Sequence, residues 1–504
     1  MPVVCGVDLG TQGCKALLYD SETMRILARA RAPLALRSGE GGVREQEAAW
    51  YRKALFSCLD GFDPALRKKI RAVGVSGQQH GFVPMDGEGQ VIRSVKLWCD
   101  TSAAAECEEL TARAGGAEQV RALTGMPFLP GYTAPKILWM KNREPEAFGR
   151  LAQVLLPHDY LNYLLTGEYS AEAGDASGTA LFDVRSRRWS RQACELIDER
   201  LYARLPPLRQ PWEASGRVSP QAAREFGLPA GAYVSAGGGD NMMGALGTGT
   251  LRQGFLALSL GTSGTLYGHA EHPLVDPEDR LASFCSSSGA WLPLLCTMNC
   301  TVAVEEVRGL LDLGLEEFNR LAEKAPVGAE GIVLLPYFNG ERVPNLPYGR
   351  ASLQGVRAGS LTRENLARAA MESAVFGFRL GLEAFVSLGY SPKEIRLTGG
   401  GAKSGLWRRM IADGLGLSLS LPVEEESAAF GAALQALYCL MAQEGGAPDI
   451  AALADLHVGI DTEARVEPDD EKAQEWEGAY LRHREYLGAL APLYRPGPHA
   501  EPRA

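Results

Sequence analysis

Short apolar runs and glycine turns alternate at the start of this chain. Val3 to Val7, Ala16 to Tyr19 and Ile26 to Ala30 are three such runs. Their length and β-branched content predict buried strands. The turn between the first two reads Asp8-Leu-Gly-Thr-Gln-Gly-Cys-Lys15, and Gly10 and Gly13 there predict a tight hairpin. A helix is predicted over Ala48 to Leu59. A strand follows over Ile70 to Val75 and ends in Ser76-Gly-Gln-Gln-His-Gly81. Another strand leads into Leu97-Trp-Cys-Asp100, and residues 131 to 180 are mostly helical. Tyr233-Val-Ser-Ala reads as a strand end that runs into Gly237-Gly-Gly-Asp-Asn241, with a helix from Asn241 onward.

The pattern then repeats. Phe255 to Leu260 is again a strand, followed by Gly261-Thr-Ser-Gly264 and another strand. This turn echoes Gly10-Thr-Gln-Gly13, with Gly261 lying 261 − 10 = 251 residues after Gly10. Two copies of one hairpin at half-length spacing predict a duplicated domain with a phosphate clamped between the halves. Further on, Leu334 begins a strand that leads to Glu341 and Arg342. Thr362 caps a long helix whose packed face is Leu366, Ala370, Ser373, Gly377, Leu380, Ala384 and Leu388. Ile395 to Thr398 is a strand ending in Gly399-Gly-Gly-Ala-Lys-Ser404, with a helix from Leu406. These breaks divide the chain into an α/β domain over residues 1–243, a second over 244–490 and a disordered tail over 491–504. The segment at 131–180 reads as a sub-domain over a substrate site, and the Gly237–Asn241 turn falls at the cleft between the halves.

Composition narrows the function. A chain of 504 residues exceeds one core and calls for two large domains. Its net charge of −10 argues against a general nucleic-acid binder, though not against a phosphate held by local backbone N–H groups. The ten cysteines and seven histidines lack metal-ligand spacing, so no zinc site and no disulfide framework is expected. No signal peptide or membrane span is read, and free thiols suit a cytoplasmic protein.

The candidate chemistry gathers on the strand-end loops. Asp240 is a carboxylate at the mouth of a glycine turn, able to take a proton from a hydroxyl or, alternatively, to cap the next helix. Thr11, Gln12 and Lys15 add donors to a loop that can cradle phosphates, and Asp8 could hold a Mg²⁺ through water. Gln79 and His80 offer amide and imidazole groups to a polyol. Trp98 offers an apolar platform for a sugar face, or is simply core. The Gly399-Gly400-Gly401 turn suits a nucleotide against exposed backbone.

Taken together, the chain resembles the FGGY carbohydrate kinases from Val3 to about Ala442. The resemblance rests on ordered motifs: Asp8-Leu-Gly-Thr-Gln-Gly, Gly77-Gln-Gln-His-Gly, Gly131-Tyr-Thr-Ala-Pro-Lys, Leu156-Pro-His-Asp-Tyr, Gly237-Gly-Gly-Asp-Asn, Ser259-Leu-Gly-Thr-Ser-Gly, Gly340-Glu-Arg-Val-Pro, Gly399-Gly-Gly-Ala-Lys-Ser and Phe430-Gly-Ala-Ala. It implies two ribonuclease-H-like domains of the actin and sugar-kinase superfamily around a central cleft. It implies Mg-ATP as phosphoryl donor, Asp240 as catalytic base and Asp8 as organiser of Mg-ATP. Gln79, His80 and Asn241 match substrate residues. Thr11, Gln12, Gly261, Thr262, Gly399 to Gly401 and Lys403 fall with the nucleotide loops. Within the family the chain is most similar to the xylulokinase branch, which implies D-xylulose as acceptor and a homodimer. Ribulose, another pentulose or glycerol is the alternative acceptor. Cys99 and Ser102 depart from that branch, which often has Asn and a nearby Arg there. A sugar-independent ATPase and a sugar sensor are the readings from other classes.

Overall fold

The computed structural model describes residues 2–495. The first half is built on β1 (Val3–Leu9), β2 (Gly13–Asp20), β3 (Arg25–Pro33), α1 (Ala48–Asp60), β4 (Ile70–Gly77), α2 (Thr133–Arg143), α3 (Pro157–Thr166), β5 (Ala214–Arg217), β6 (Tyr233–Ser235), the short β7 (Gly238–Gly239) and α4 (Asp240–Gly247). The second half contains β8 (Phe255–Leu260), β9 (Gly264–Gly268), β10 (Ala282–Cys285), β11 (Trp291–Thr297), α5 (Arg363–Ser387), β12 (Glu394–Thr398), α6 (Gly405–Leu415), β13 (Ser418–Pro422), α7 (Ser427–Gln443), β14 (Ile460–Val466) and α8 (Ala473–Leu490).

The duplication expected from the paired turns is visible in the sheets. The first runs β5-β6-β4-β1-β2-β3 and the second β10-β11-β9-β8-β12-β13-β14. In each, three antiparallel strands (β1, β2, β3 or β8, β9, β11) are joined to two parallel ones (β4, β6 or β12, β13). The matching hairpins also share bonds. Leu34 N–H donates to Gln12 O in the first, and Cys300 N–H donates to Thr262 O in the second. This is the two-domain α/β fold with a central cleft.

Register places the chemistry. β1 and β4 are parallel, with Asp8 opposite Ser76, while β7 sets Gly238 opposite the same Ser76. The carboxyl ends of three segments therefore open together, and Asp8 and Asp240 share one end of the sheet.

Several details differ from the sequence reading. The helix after the glycine turn starts at Asp240, with Gly239 in the N-cap position. α6 starts at Gly405, capped by Ser404. α5 begins after its Thr362 cap as expected, but is buried around most of its circumference rather than on one face, because helices and sheet enclose it. The tail starts as a 3₁₀ turn over Ala491–Leu493, with Tyr494 edge-on to Tyr337, and residues 496–504 of the expected tail lie outside the described residues. Among the described residues no helix is long and apolar enough to cross a membrane.

The 243/244 division falls inside α4, and the two halves interlock there. α7 is encoded in the second half, yet packs against β1, β4 and α4. Its Gly431 lies so close to α4 that a Cβ would stand 1.8 Å from the Met243 carbonyl oxygen. Gly431→Val should therefore lower the thermal midpoint sharply, by the equivalent of about 3 kcal/mol or more. Gly478→Ala, within α8 and with no atom nearer than 3.9 Å to the new methyl, should stabilise by about 0.5–1 kcal/mol. Thermal unfolding of both variants checks the contrast.

Candidate active site

Asp240 enters the cleft from the first turn of α4. Its Oδ1 accepts from the backbone N–H of Asn241 (2.8 Å) and from Asn241 Nδ2 (3.0 Å). Asn241 Nδ2 also donates to Gln79 Oε1 at 2.7 Å. A chain of amides thus ties the carboxylate to the β4 loop. Gln79 Nε2 is buried and has no hydrogen-bond partner among the described residues.

The turn that presents Asp240 is gripped from the other half. Gln435 of α7 is buried. Its Oε1 accepts from Gly237 N–H and Ser235 Oγ, both at 2.8 Å, and its Nε2 donates to Gly237 O at 2.9 Å. Gly237 has φ of +79°, and a Cβ there would lie 2.8 Å from His158 Cδ2, so glycine is required on both counts. Sequence reasoning missed Gln435. The only available signal was one amide in the apolar run Ala428 to Leu440.

His80 is held in an unusual backbone state, φ +63°. Its carbonyl accepts from Lys136 Nζ at 2.8 Å and Thr133 Oγ1 at 3.2 Å, both from α2. Lys136 also donates to Gly131 O at 2.6 Å. These bonds offset the cost of the left-handed conformation, about 1–3 kcal/mol. The ring packs edge-on to Tyr132 and tilted to Phe284 of the second half. The helices expected over the site are present, and their core continues into Tyr267, Phe284 and Leu292 across the cleft.

Trp98 donates its Nε1–H to Thr11 Oγ1 at 2.9 Å, and Thr11 Oγ1 donates to Gln78 Oε1 at 2.9 Å. The Thr11 hydroxyl, expected on the nucleotide side, is thus committed to the Trp98 side. Lys15 pairs with Glu426 at the start of α7, so its ammonium has a carboxylate partner in the protein. Gln12 and Thr262 are exposed at the tips of the two matching hairpins. Gly261 N–H donates to Ser263 O, closing its own turn. Gly399 and Gly400 are exposed at the end of β12 with Gly401 beside them, and Lys403 is an exposed partner of Glu425. Ser102 is held between Lys96 and Asp100. It donates to the buried Asp100 at 2.6 Å and accepts from Lys96 at 2.6 Å. Cys99 is half-buried against the first core.

Electrostatics sets the site apart. Burial, then the Asp8 and Asp175 carboxylates, push Asp240 up to about 7, against the opposing Asn241 hydrogen bonds. Burial also raises Asp8, with Glu426 adding to it and Ser76 Oγ at 2.7 Å and Lys15 opposing. Burial, aided by Lys136 and Arg342, lowers His80 well below its ordinary value, so the ring is neutral. Burial lowers Lys136 to about 7, against Asp100 and Cys99. Two mutually destabilising carboxylates, Asp8 and Asp240, thus share this end of the cleft with the neutral His80 ring.

The comparisons with known proteins agree with this geometry. The N-terminal-domain model of the FGGY family of carbohydrate kinases matches residues 3–247, and the C-terminal-domain model matches residues 256–440. The chain belongs to the FGGY family of carbohydrate kinases. It is 41% identical over 501 residues to the xylulose kinase of Haemophilus influenzae, covering 97% of this chain and 99% of that one. It is 34% identical to the xylulose kinase of Escherichia coli over 416 residues, 81% of this chain and 84% of the relative. The solved xylulose kinase from Bifidobacterium adolescentis superposes with a TM-score of 0.80 at 30% identity, covering 97% of this chain and 99% of that one. The Plasmodium falciparum glycerol kinase with ADP shares the fold, with a TM-score of 0.86 at 19% identity and coverage of 96% and 98%. As a carbohydrate kinase the protein uses ATP and a sugar.

The raised Asp240 makes a stability prediction. A carboxyl ionising near 7 when folded and near 4 when unfolded costs nothing below the lower value. The cost grows as pH rises between the two and is constant above the upper one. Asp240→Asn removes it. The thermal midpoint of the variant minus that of the parent should grow between about pH 5 and pH 7, then level off. Paired melting curves across that range check the sign.

Proposed function

We propose that this kinase transfers the terminal phosphoryl group of ATP to the 5-hydroxyl of D-xylulose, with Asp240 as the base. The observation that carries the reading is the Asp240–Asn241–Gln79 chain beside neutral His80, with the Gln79 Nε2 donor unpaired. Gln79, Asn241 and His80 offer the sugar hydroxyls donors and acceptors, and Trp98 offers its ring face. Similarity over nearly the whole chain to proteins named xylulose kinase supports D-xylulose over the other acceptors.

The residues present fit Mg-ATP. Asp8 is a carboxylate at the open end of β1, close enough to Asp240 to raise its proton affinity, so a hydrated Mg²⁺ there would relieve both. Gln12, Thr262 and the Gly399–Gly401 turn present exposed groups for phosphates and nucleoside. When bound, Mg-ATP supplies the phosphoryl group and a metal charge that balances it. Asp240 then orients the acceptor hydroxyl and takes its proton, a task suited to a group that ionises near the working pH. The α2 segment and Phe284 close over the sugar and exclude water. The ten cysteines stand as free thiols, which suits a cytoplasmic enzyme, and sedimentation tests the homodimer.

Coupled ADP release with Mg-ATP, comparing D-xylulose, D-ribulose, L-xylulose, L-ribulose, glycerol and no sugar, tests the assignment. D-xylulose is expected to give the highest kcat/KM. A preference for another acceptor would overturn the sugar, and release indifferent to every sugar would overturn the transfer. Asp240→Asn should lower kcat by about 10²–10⁴-fold with ATP binding retained. In the parent, kcat/KM for the sugar should fall as pH drops below about 7, because the base must be ionised.

A further inference from the structure

Arg342 stands on the turn that follows the strand Val333–Leu335 and Pro336, in the second half of the chain. Its neighbour Glu341 is only 5% exposed, and that carboxylate is fully engaged with backbone and amide donors. Oε1 accepts from Met298 N–H at 2.7 Å and Arg342 N–H at 2.8 Å, while Oε2 accepts from Asn299 Nδ2 at 3.1 Å. Asn299 Nδ2 also donates to Gly340 O at 2.6 Å. Glu341 and Leu346 exchange backbone bonds of 2.9 Å in both directions. The base of the Arg342 side chain is therefore fixed, and Glu341 has no capacity left for its guanidinium.

The guanidinium reaches across the cleft. Its Cζ lies 5.8 Å from the centre of the Trp98 ring, over the face. Nη2 is 3.6 Å from the point where a side chain on Gly131 would begin. Its one polar side-chain contact is weak, from Nη1 to Cys296 Sγ at 3.9 Å. Among the described residues no carboxylate lies within 4.0 Å of it, although it is half-buried. A guanidinium carries five donors, and half-burying one without acceptors is costly unless a ligand supplies them. The surfaces it faces, Trp98 and Gly131, are bound directly to the rest of the sugar-side set. Lys136 joins Gly131 O to His80 O, and Trp98 is locked in plane by Thr11.

We propose that Arg342 is a sugar-binding residue delivered by the second half, donating to ketose oxygens beside the Trp98 ring over which its guanidinium sits. The position follows from geometry: the cation lies over the ring face offered to the sugar and beside the backbone that Lys136 ties to His80. Sugar binding and approach of the two halves then become one event, because the sugar takes contacts from Trp98 of the first half and Arg342 of the second. The inference rests on the sugar-kinase reading of this cleft, not on which ketose is preferred.

The test uses the full-length enzyme and the acceptor with the highest parental kcat/KM in the panel above. Arg342→Ala and Arg342→Lys are compared with the parent for acceptor KM, ATP KM and kcat, and for nucleotide-free acceptor binding by calorimetry. Arg342→Ala should raise acceptor KM and Kd tenfold or more, leave ATP KM within twofold, and keep the parental melting midpoint within a few degrees. Arg342→Lys, which keeps the charge but loses the planar fork, should fall between. Guanidinium ion added to Arg342→Ala should recover part of the acceptor affinity, which a purely structural role would not allow. Unchanged acceptor KM and Kd in Arg342→Ala would overturn the proposal. So would a fall in kcat alone, which would place the guanidinium on the phosphoryl group. Failure of D-xylulose in the parent would refute the proposed acceptor and leave the Arg342 result to be read on the acceptor that turns over.

Discussion

One backbone-to-backbone crossing governs the arrangement of this enzyme. α7 leaves the second half and lies on the first sheet, where Cβ atoms on Gly6 and Gly74 would each come within 1.9 Å of its carbonyl oxygens at Ala429 and Ala432. It then crosses α4 at Gly431 and Gly247 with no side chain between the helices. Contacts this short fix the separation of the helices. The turn carrying Asp240 sits beside that crossing, held by Gln435 from α7. Asp240 is thus anchored at the point where the two halves are most tightly joined.

The second governing feature is unbalanced negative charge. Asp240 is raised by burial and by the Asp8 and Asp175 carboxylates, and burial raises Asp8 and Asp175 as well. His158 at 2.8 Å offsets only Asp175, and Lys15 beside Asp8 is tied to Glu426. A folded protein tolerates such a cluster only with stabilisation from elsewhere, and here the extended cores of both halves provide it. Under the proposed mechanism, that imbalance is what a hydrated Mg²⁺ carrying ATP would relieve.

Much of this was legible in the sequence because it was local. Strand runs, glycine turns and the Thr362 cap are short-range signals, and the repeat of Gly10–Gly13 at Gly261–Gly264 disclosed the duplication. Asp8, Gln79, His80, Asp240 and Asn241 all lie at or just beyond strand ends, where such signals are strongest. What escaped were contacts between residues far apart in the chain. Nothing near Gln435 indicates that it would bind Gly237, 198 residues earlier, and nothing near Lys15 points to Glu426, 411 residues later. The Thr11 hydroxyl was read as a phosphate donor because its loop suits one, and only the fold shows Trp98 claiming it. The helix α5 looked one-sided because its small residues cluster, whereas its burial depends on neighbours that periodicity cannot reveal.

The bond from Trp98 to Thr11 has a bearing on how such an enzyme can change its diet. Trp98 and the Gly10–Gly13 hairpin share the Thr11 hydroxyl, which donates to Gln78, and Gln78 Nε2 in turn donates to Gln46 and Tyr51. A new residue at position 98 that suits a different sugar but lacks an N–H leaves that hydroxyl to find another donor, one turn from the nucleotide loop. Drift in acceptor preference is therefore easier on the rim of the pocket than at the platform, and lineages that do replace the tryptophan should carry a compensating change at position 11 or 78.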